Sequence, residues 1–160
     1  NFGTLKFVKG KHEMMNKLKS LGPDMLSQEV SVHTFKEALL KKPEWSIAKA
    51  LMKQSLVCGV GNYIKADSLW LAKISPKRKV KDITDIEFAD LKESIQRVMR
   101  TSYESGGATI ASYQSFDDKP GEYGQKMIVY GQQKDPEGND VIKEKTDDGR
   151  TTHWVPSVQK

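Results

Sequence analysis

Residues 54–64 read Gln-Ser-Leu-Val-Cys-Gly-Val-Gly-Asn-Tyr-Ile, and this stretch decides the fold. Apolar residues at helical spacing precede it over residues 47–52 and follow it over residues 64–71. This pattern predicts two helices joined by a tight turn that contains glycine. Ser46 is expected to cap the first helix, and the second is expected to begin near Asn62.

The turn between these helices has two possible roles. A helix N-terminus presents unpaired backbone N–H groups and a partial positive charge, and glycines allow an anion to approach the backbone closely. In a phosphate-binding turn, Gly59 and Gly61 give this access and Asn62 adds a side-chain donor. In a purely structural turn, the same glycines supply positive φ angles and Asn62 caps the helix. The residue pattern by itself leaves both roles open.

Three further helices are predicted from apolar spacing. They cover residues 12–20, residues 32–40, and a segment that begins at Thr84 and stops at residues 106–107. Thr84 and Glu87 form a capping box that fixes the start of the last helix. The expected core-facing stripe of that helix consists of Ile86, Phe88, Leu91, Ile95, Val98 and Met99.

The composition changes to short β-like runs after residue 107. Runs at residues 126–130, 140–145 and 151–155 are predicted strands, and the last two are typical of a hairpin with a glycine-containing turn. The predicted fold is therefore mainly α with a small antiparallel β appendage. At the hairpin tip, Arg150 beside a glycine can grip a phosphate through two parallel hydrogen bonds, or it can be an ordinary exposed arginine.

Composition limits the function classes. Among 160 residues, 26 basic against 21 acidic side chains give a net charge of +5. This charge favours a polyanionic partner such as nucleic acid, but it is also consistent with a solvated lysine-rich face that binds nothing. Apolar runs are too short and too often interrupted for a membrane span, so no membrane partner is expected. The single cysteine, Cys58, is expected to be a buried core thiol in a reducing intracellular compartment. The three histidines show no metal-ligand spacing, and we find no candidate metal site, cofactor site or catalytic residue.

Several short motifs follow one another along nearly the whole chain. They are Asn1-Phe2-Gly3-Thr4, Leu21-Gly22-Pro23-Asp24, Gly59-Val60-Gly61-Asn62 with Asp67, Ser68, Leu69, Ile74 and Pro76, Gly106-Gly107-Ala108-Thr109, and Val129-Tyr130-Gly131. In this order they resemble the formamidopyrimidine-DNA glycosylase and endonuclease VIII family of base-excision DNA repair enzymes. The third motif resembles the family's helix-two-turns-helix element.

The resemblance implies a role for five parts of the chain. Asn62 and Arg150 are expected to hold the phosphates that flank a damaged nucleotide, and Tyr130 is expected to be a further phosphate contact. Phe2 takes the place of an aromatic wedge that enters the duplex when the base is everted. Residues 106–125 match the loop that covers the flipped base.

The resemblance also implies a division of the chain and a set of partners. Residues 1–10 match the terminal strand of an N-terminal catalytic domain, residues 11–105 the helix-two-turns-helix domain, and residues 126–160 the finger. Most members carry four zinc-binding cysteines in the finger, whereas this chain has none there and resembles the zincless branch. Packing of Trp154 and Val155 is expected to replace the metal. The expected partners are damaged double-stranded DNA and the N-terminal catalytic domain of the same protein.

The chemistry that the resemblance implies is excision of oxidised bases. In the family, an N-terminal proline amine attacks the sugar C1′ to form a Schiff base, a neighbouring glutamate assists proton transfer, and β/δ-elimination cuts the strand. Neither residue begins this chain. We therefore expect the chain to be a piece of a longer protein and to be inactive by itself.

Two other readings of the sequence compete with this one. A helix-two-turns-helix fold also occurs in a structural, ribosomal-type RNA-binding protein, which would lack a finger carrying Arg150. A free-standing DNA-binding module without lyase ancestry is the other alternative, and a proline-glutamate start upstream of residue 1 would exclude it.

Overall fold

Helices and one terminal hairpin make up the part of the chain that the computed structural model describes, residues 7, 10–27, 29–107 and 126–160. The helices are α1 (Lys11–Lys19), α2 (Val32–Leu40), α3 (Ile47–Leu51), α4 (Asn62–Leu71) and α5 (Asp85–Glu104), with a short 3₁₀ helix at Val80–Asp82. The strands are β1 (Ile142–Lys145) and β2 (Thr151–Trp154). The predicted fold class, mainly α with a small antiparallel β appendage, is confirmed.

Side-chain caps explain where three of the helices begin. The hydroxyl of Ser31 accepts a hydrogen bond from the Thr34 N–H at the start of α2, and Ser46 does the same for Lys49 at the start of α3. At α5, Thr84 and Glu87 form the predicted reciprocal capping box. These starts are encoded locally, since each cap lies within three residues of its partner.

The main core lies between α2, α3, α4 and α5. Phe35 of α2 and Phe88 of α5 meet edge to face at its centre, with ring centroids 6.3 Å apart. The predicted stripe of α5 is correct except for Ile86, which is 76% exposed. Ile86 lies two residues before Phe88, which is about 200° around a helix of 3.6 residues per turn, so it points away from the core.

Residues 22–23 lie in close backbone contact with residues 54–58, the segment that leads into α4. The Gly22 N–H donates to the Gln54 carbonyl at 2.9 Å, and a Cβ on Gly22 would lie only 2.2 Å from the Leu56 carbonyl oxygen. The Cys58 N–H likewise donates to the Pro23 carbonyl. This pairing holds Cys58 at the edge of the core, where it is half-buried, so the expectation of a buried core thiol is wrong.

The hairpin confirms two of the three predicted strands. Strands β1 and β2 pair antiparallel from Ile142 opposite Trp154 to Lys145 opposite Thr151. The turn between them closes with Gly149 at φ +77° and its N–H bonded to the Thr146 carbonyl.

The predicted strand at residues 126–130 is wrong. Three successive backbone N–H groups of this segment, those of Ile128, Val129 and Tyr130, donate to the carboxylate of Asp67 on α4. They are therefore not available for a strand partner. Together, residues 126–160 form a finger that packs on α4 through a second apolar cluster of Ala66, Val129 and Val155.

Trp154 and Val155 are the two finger residues whose packing is expected to take the place of a metal. Val155 is fully buried, and Trp154 is nearly so. The Trp154 indole N–H donates to the Glu144 carboxylate at 3.2 Å, and the Lys77 ammonium lies 5.4 Å from the centre of the indole ring. The Trp154 ring is therefore held by two charged neighbours, Glu144 and Lys77.

Candidate nucleic-acid interface

The turn before α4 is held by one side chain. The Gln54 amide oxygen accepts from the Gly59 N–H at 3.0 Å, and its amide nitrogen donates to the Val60 carbonyl at 2.9 Å. Gly59 has φ +88°, and a Cβ there would lie 2.6 Å from the terminal methyl of Met99. The structural role of Gly59 is therefore clear, since both its φ angle and the lack of space require glycine.

Gly61 differs from Gly59. Its φ of −107° is accessible to any residue, so the proposed structural role in supplying positive φ is wrong for Gly61. A Cβ there would meet none of the described atoms within 4 Å. The described fold therefore does not require glycine at this point, and the space beside Gly61 at the N-terminus of α4 is open among the described residues.

Asn62 links this helix terminus to the hairpin. It is the first residue of α4, and its side-chain nitrogen donates to the Thr151 carbonyl at 3.0 Å. The alternative that Asn62 caps the helix is wrong, because Gly61 occupies the cap position and no side chain caps α4. One amide N–H of Asn62 bonds Thr151, which leaves the second for another acceptor. The Asn62 amide oxygen is buried with no hydrogen-bond partner among the described residues.

Arg150 lies next to Thr151 at the hairpin tip and is exposed. Its backbone N–H donates to the Asp148 carboxylate at 3.0 Å. Within the described part of the chain, its guanidinium makes no hydrogen bond and no ion pair. The structure therefore brings the two predicted phosphate contacts, Asn62 and Arg150, to one place. We call the surface formed by Gly61, Asn62 and Arg150 the α4–hairpin edge.

A buried ion pair lies behind this edge. The Lys65 ammonium on α4 lies 2.5 Å from the Asp148 carboxylate in the hairpin turn, with side-chain exposures of 0% and 2%. Burial lowers the pKa of Lys65 and is opposed by Asp148. For Asp148, burial acts to raise the pKa, but hydrogen bonds from Lys65, Thr146 and the Arg150 N–H hold it below its ordinary value. The carboxylate is therefore stabilised in its charged form.

Sequence reasoning missed this pair. Lys65 is flanked by the apolar residues Ile64 and Ala66 inside a predicted helix, and a lysine in such a position is a signal for a buried partner. The sequence does not identify that partner, because Asp148 lies in the predicted hairpin turn, 83 residues away. Asp67 was recognised as part of a motif, but its role as acceptor for three backbone N–H groups was not predicted.

Tyr130 lies beside the edge in a row of three rings. Its ring centroid is 4.7 Å from that of His153 and 6.4 Å from that of Tyr63. Burial, followed by the charges of nearby lysines, lowers the pKa of His153, so this ring is held neutral. The Tyr130 hydroxyl has no hydrogen bond to any described residue, which leaves its predicted phosphate contact as a prediction.

Two predicted elements of the interface fall outside the described residues. Phe2 is one, and residues 108–125 of the predicted covering loop are the other. Over the ranges that the structure describes, no group of three or more His, Cys, Asp or Glu side chains is arranged to hold a metal ion. None of the described helices is long and apolar enough to cross a membrane.

Comparison with known proteins identifies the family. The model named Formamidopyrimidine-DNA glycosylase H2TH domain matches residues 21–114, and the model named Formamidopyrimidine-DNA glycosylase C-terminal domain matches residues 117–160. The chain belongs to the formamidopyrimidine-DNA glycosylase family. Because the second match covers the finger, the alternative of a ribosomal-type RNA-binding protein is not supported.

Individual members of the formamidopyrimidine-DNA glycosylase family agree with this assignment. A formamidopyrimidine-DNA glycosylase of Prochlorococcus marinus is 34% identical over 166 residues, covering 100% of this chain and 56% of the relative. One of Listeria monocytogenes is 33% identical, with coverages of 99% and 59%. The chain thus spans somewhat more than half the length of these relatives.

Solved structures of the family have the same fold as this chain. The complex between Lactococcus lactis Fpg and an abasic site containing DNA has a TM-score of 0.83 at 28% identity, covering 94% of this chain and 56% of that one. The MutM (Fpg) protein of Thermus thermophilus has a TM-score of 0.84 at 29% identity, with coverages of 94% and 58%.

Proposed function

We propose that this chain is the DNA-binding part of a bifunctional DNA glycosylase and AP lyase that excises oxidised bases in base-excision repair. The observation that carries the proposal is the bond from the Asn62 amide to the Thr151 carbonyl, 3.0 Å long. It joins the N-terminus of α4 to Thr151, whose neighbour in the chain, Arg150, is exposed and has a guanidinium with no partner among the described residues. Helix N–H groups, a spare amide N–H and a free guanidinium are all donors suited to phosphate oxygens.

The ligand of the α4–hairpin edge is damaged double-stranded DNA. One solved relative, the Lactococcus lactis Fpg, is bound to DNA that contains an abasic site. The net charge of +5 of this chain suits a polyanion. In this proposal Asn62 and Arg150 bind phosphates on either side of the everted nucleotide, and Tyr130 adds a further contact through its hydroxyl.

The proposed division of labour along the chain follows the family motifs. Residues 1–10 belong with an N-terminal catalytic domain, which is a partner of this chain, and Phe2 is the wedge that fills the space of the everted base. Residues 11–105 and 126–160 hold the duplex, and residues 106–125 cover the lesion. The finger holds its shape without metal, through the Lys65–Asp148 pair and the apolar cluster that contains Val155.

The chemistry of the proposed reaction belongs to the catalytic domain. Its proline amine forms the Schiff base and its glutamate moves protons, while this chain positions the strand. We therefore expect the 160 residues alone to form no covalent adduct when incubated with abasic-site DNA and borohydride. A trapped adduct would place a nucleophile within this chain and contradict this part of the proposal.

A binding comparison tests the DNA-binding proposal. The chain is titrated against three fluorescent duplexes of one sequence: DNA with a tetrahydrofuran abasic analogue, intact DNA, and RNA. We expect the abasic DNA to bind tightest, because an unpaired site costs less to open. Equal affinity for all three would contradict the proposal. Tighter binding of RNA would do the same.

A further inference from the structure

We propose that the buried ion pair between Lys65 and Asp148 is a positioning device for Arg150. It holds the hairpin turn in one place on α4, so that Arg150, the chain neighbour of the Thr151 carbonyl that Asn62 bonds, is positioned before any ligand arrives. This inference rests on the proposed function of the α4–hairpin edge and names residues that act behind it. Lys65 is fully buried and has no surface with which to contact DNA itself.

The Asp148 carboxylate connects α4 to the backbone of Arg150. One oxygen, Oδ2, accepts from the Lys65 ammonium at 2.5 Å. The other, Oδ1, accepts from the Arg150 N–H at 3.0 Å and from the Thr146 hydroxyl at 2.6 Å. A displacement of Asp148 therefore displaces Arg150 with it.

Two further contacts anchor the residues on either side of Arg150. The hydroxyl of Ser46, which caps α3, donates to the Asp147 carboxylate. The Asn62 amide donates to the Thr151 carbonyl. Side chains of α4 and of Ser46, the cap of α3, thus hold three positions around Arg150: Asp147, Asp148 and Thr151. Its own side chain has no bond to any described residue.

An ion pair is suited to this task because its geometry is specific. A buried charge without its partner is strongly unfavourable, so the pair permits few positions of the turn relative to α4. A two-stranded hairpin by itself is only marginally ordered. Holding a binding group in its bound position in advance improves affinity, because less freedom is lost on association.

The test removes the ion pair and keeps the hydrogen bonds within the turn. In the full 160-residue chain, Lys65→Met is combined with Asp148→Asn, since asparagine retains the Oδ1 acceptor for Arg150 and Thr146. This pair variant is made with and without Arg150→Ala. The control is Lys36→Met with Asp85→Asn, which removes an exposed ion pair between α2 and α5 with the same change in charge.

Binding to the abasic-analogue duplex gives the first readout. We expect the pair variant to bind about tenfold more weakly than wild type, and to have less than about a twofold effect when Arg150 is already alanine. The control is expected to bind like wild type. An equal loss in both backgrounds would overturn the inference, because the pair would then act on DNA binding independently of Arg150.

Order of the DNA-free protein gives the second readout. ¹⁵N relaxation of the Arg150 backbone amide is expected to show greater mobility in the pair variant than in the control, and an unchanged amide would overturn the inference. This readout separates the two proposals. If the wild-type chain binds no DNA, the proposed function fails, and the relaxation of the Arg150 amide still tests whether the ion pair positions the turn. If the pair variant does not fold, Lys65→Gln combined with Asp148→Asn, which leaves two neutral polar side chains and no unpaired buried charge, enters the same cycle and the same relaxation measurement.

Discussion

Replacing Asp67 by alanine is expected to release the finger from α4. Asp67 is fully buried and accepts three backbone N–H groups, from Ile128 at 3.1 Å and from Val129 and Tyr130 at 3.0 Å each. A hydrogen bond to a charged group contributes about 1.5–3 kcal/mol. The N–H of Val129 is buried, and those of its two half-buried neighbours can regain water, so we expect a total loss of roughly 3–5 kcal/mol in the free energy of unfolding.

Two variants calibrate this expectation. Asp67→Asn keeps the oxygen that serves Val129 and Tyr130 but turns an N–H₂ group towards Ile128, so a loss of roughly 1–2 kcal/mol is expected. Asp24→Ala is the control, because the exposed Asp24 carboxylate accepts one N–H, that of Leu26 at 3.0 Å. It is expected to cost less than about 1 kcal/mol.

Urea unfolding combined with hydrogen exchange measures the effect. Exchange in Asp67→Ala is expected to rise first over residues 126–160 while the helices remain protected, because the bonds lost lie between the finger and α4. If this variant unfolded within about 0.5 kcal/mol of wild type and exchange at residues 128–130 did not change, the claim that Asp67 holds the finger would be refuted.

Three further predictions concern the turn before α4 and the start of α5. Gly22→Ala is expected to destabilise the chain by more than about 3 kcal/mol in urea unfolding, because the added Cβ would lie 2.2 Å from the Leu56 carbonyl oxygen. A stability equal to that of wild type would contradict this close approach. Gly61→Ala is expected to fold normally but to weaken binding to abasic-site DNA several-fold. Gly10→Ala, the matched change at the N-cap of α1, should leave binding unchanged. Equal binding by both variants would argue against the approach of a phosphate at Gly61. The ion pair with Arg78 lowers the pKa of Glu87 from 4.5 to about 2, so the stability that this pair contributes is present above pH 4.5 and is lost as the pH falls towards 2. The difference in stability between wild type and Glu87→Gln, measured by thermal unfolding, should therefore shrink over that range. A constant difference would contradict the shift in pKa.

Local sequence predicts the helices of this chain well. The cap at Ser46 and the capping box at Thr84 lie within a few residues of the bonds they make, so they can be identified without knowledge of the fold. The start of α4 at Asn62 was predicted for the same reason, because a glycine turn precedes it. The exposed Ile86 was misassigned through an error in helical phase, although the rest of its stripe was correct.

The attachment of the finger depends on contacts that local patterns do not contain. Asp67 and Val129 are 62 residues apart, and Lys65 and Asp148 are 83 apart. No spacing rule connects residues at such separations, so the buried acceptor and the buried ion pair were missed. For the same reason residues 126–130 were predicted as a strand: their apolar composition is typical of one, but their N–H groups bond a carboxylate instead.

The salt dependence of DNA binding tests the central proposal most directly. Log Kd for the abasic-analogue duplex is measured against log salt concentration for wild type, Arg150→Ala, Asn62→Ala and Arg97→Ala, the last an exposed arginine on α5 outside the α4–hairpin edge. We expect Arg150→Ala to weaken binding and to reduce the slope by about one unit, because one phosphate contact is lost. Asn62→Ala should weaken binding with an unchanged slope, since asparagine carries no charge, and Arg97→Ala should bind like wild type. Identical affinities and slopes for all four proteins would contradict the assignment of Asn62 and Arg150 as the residues that hold the DNA backbone.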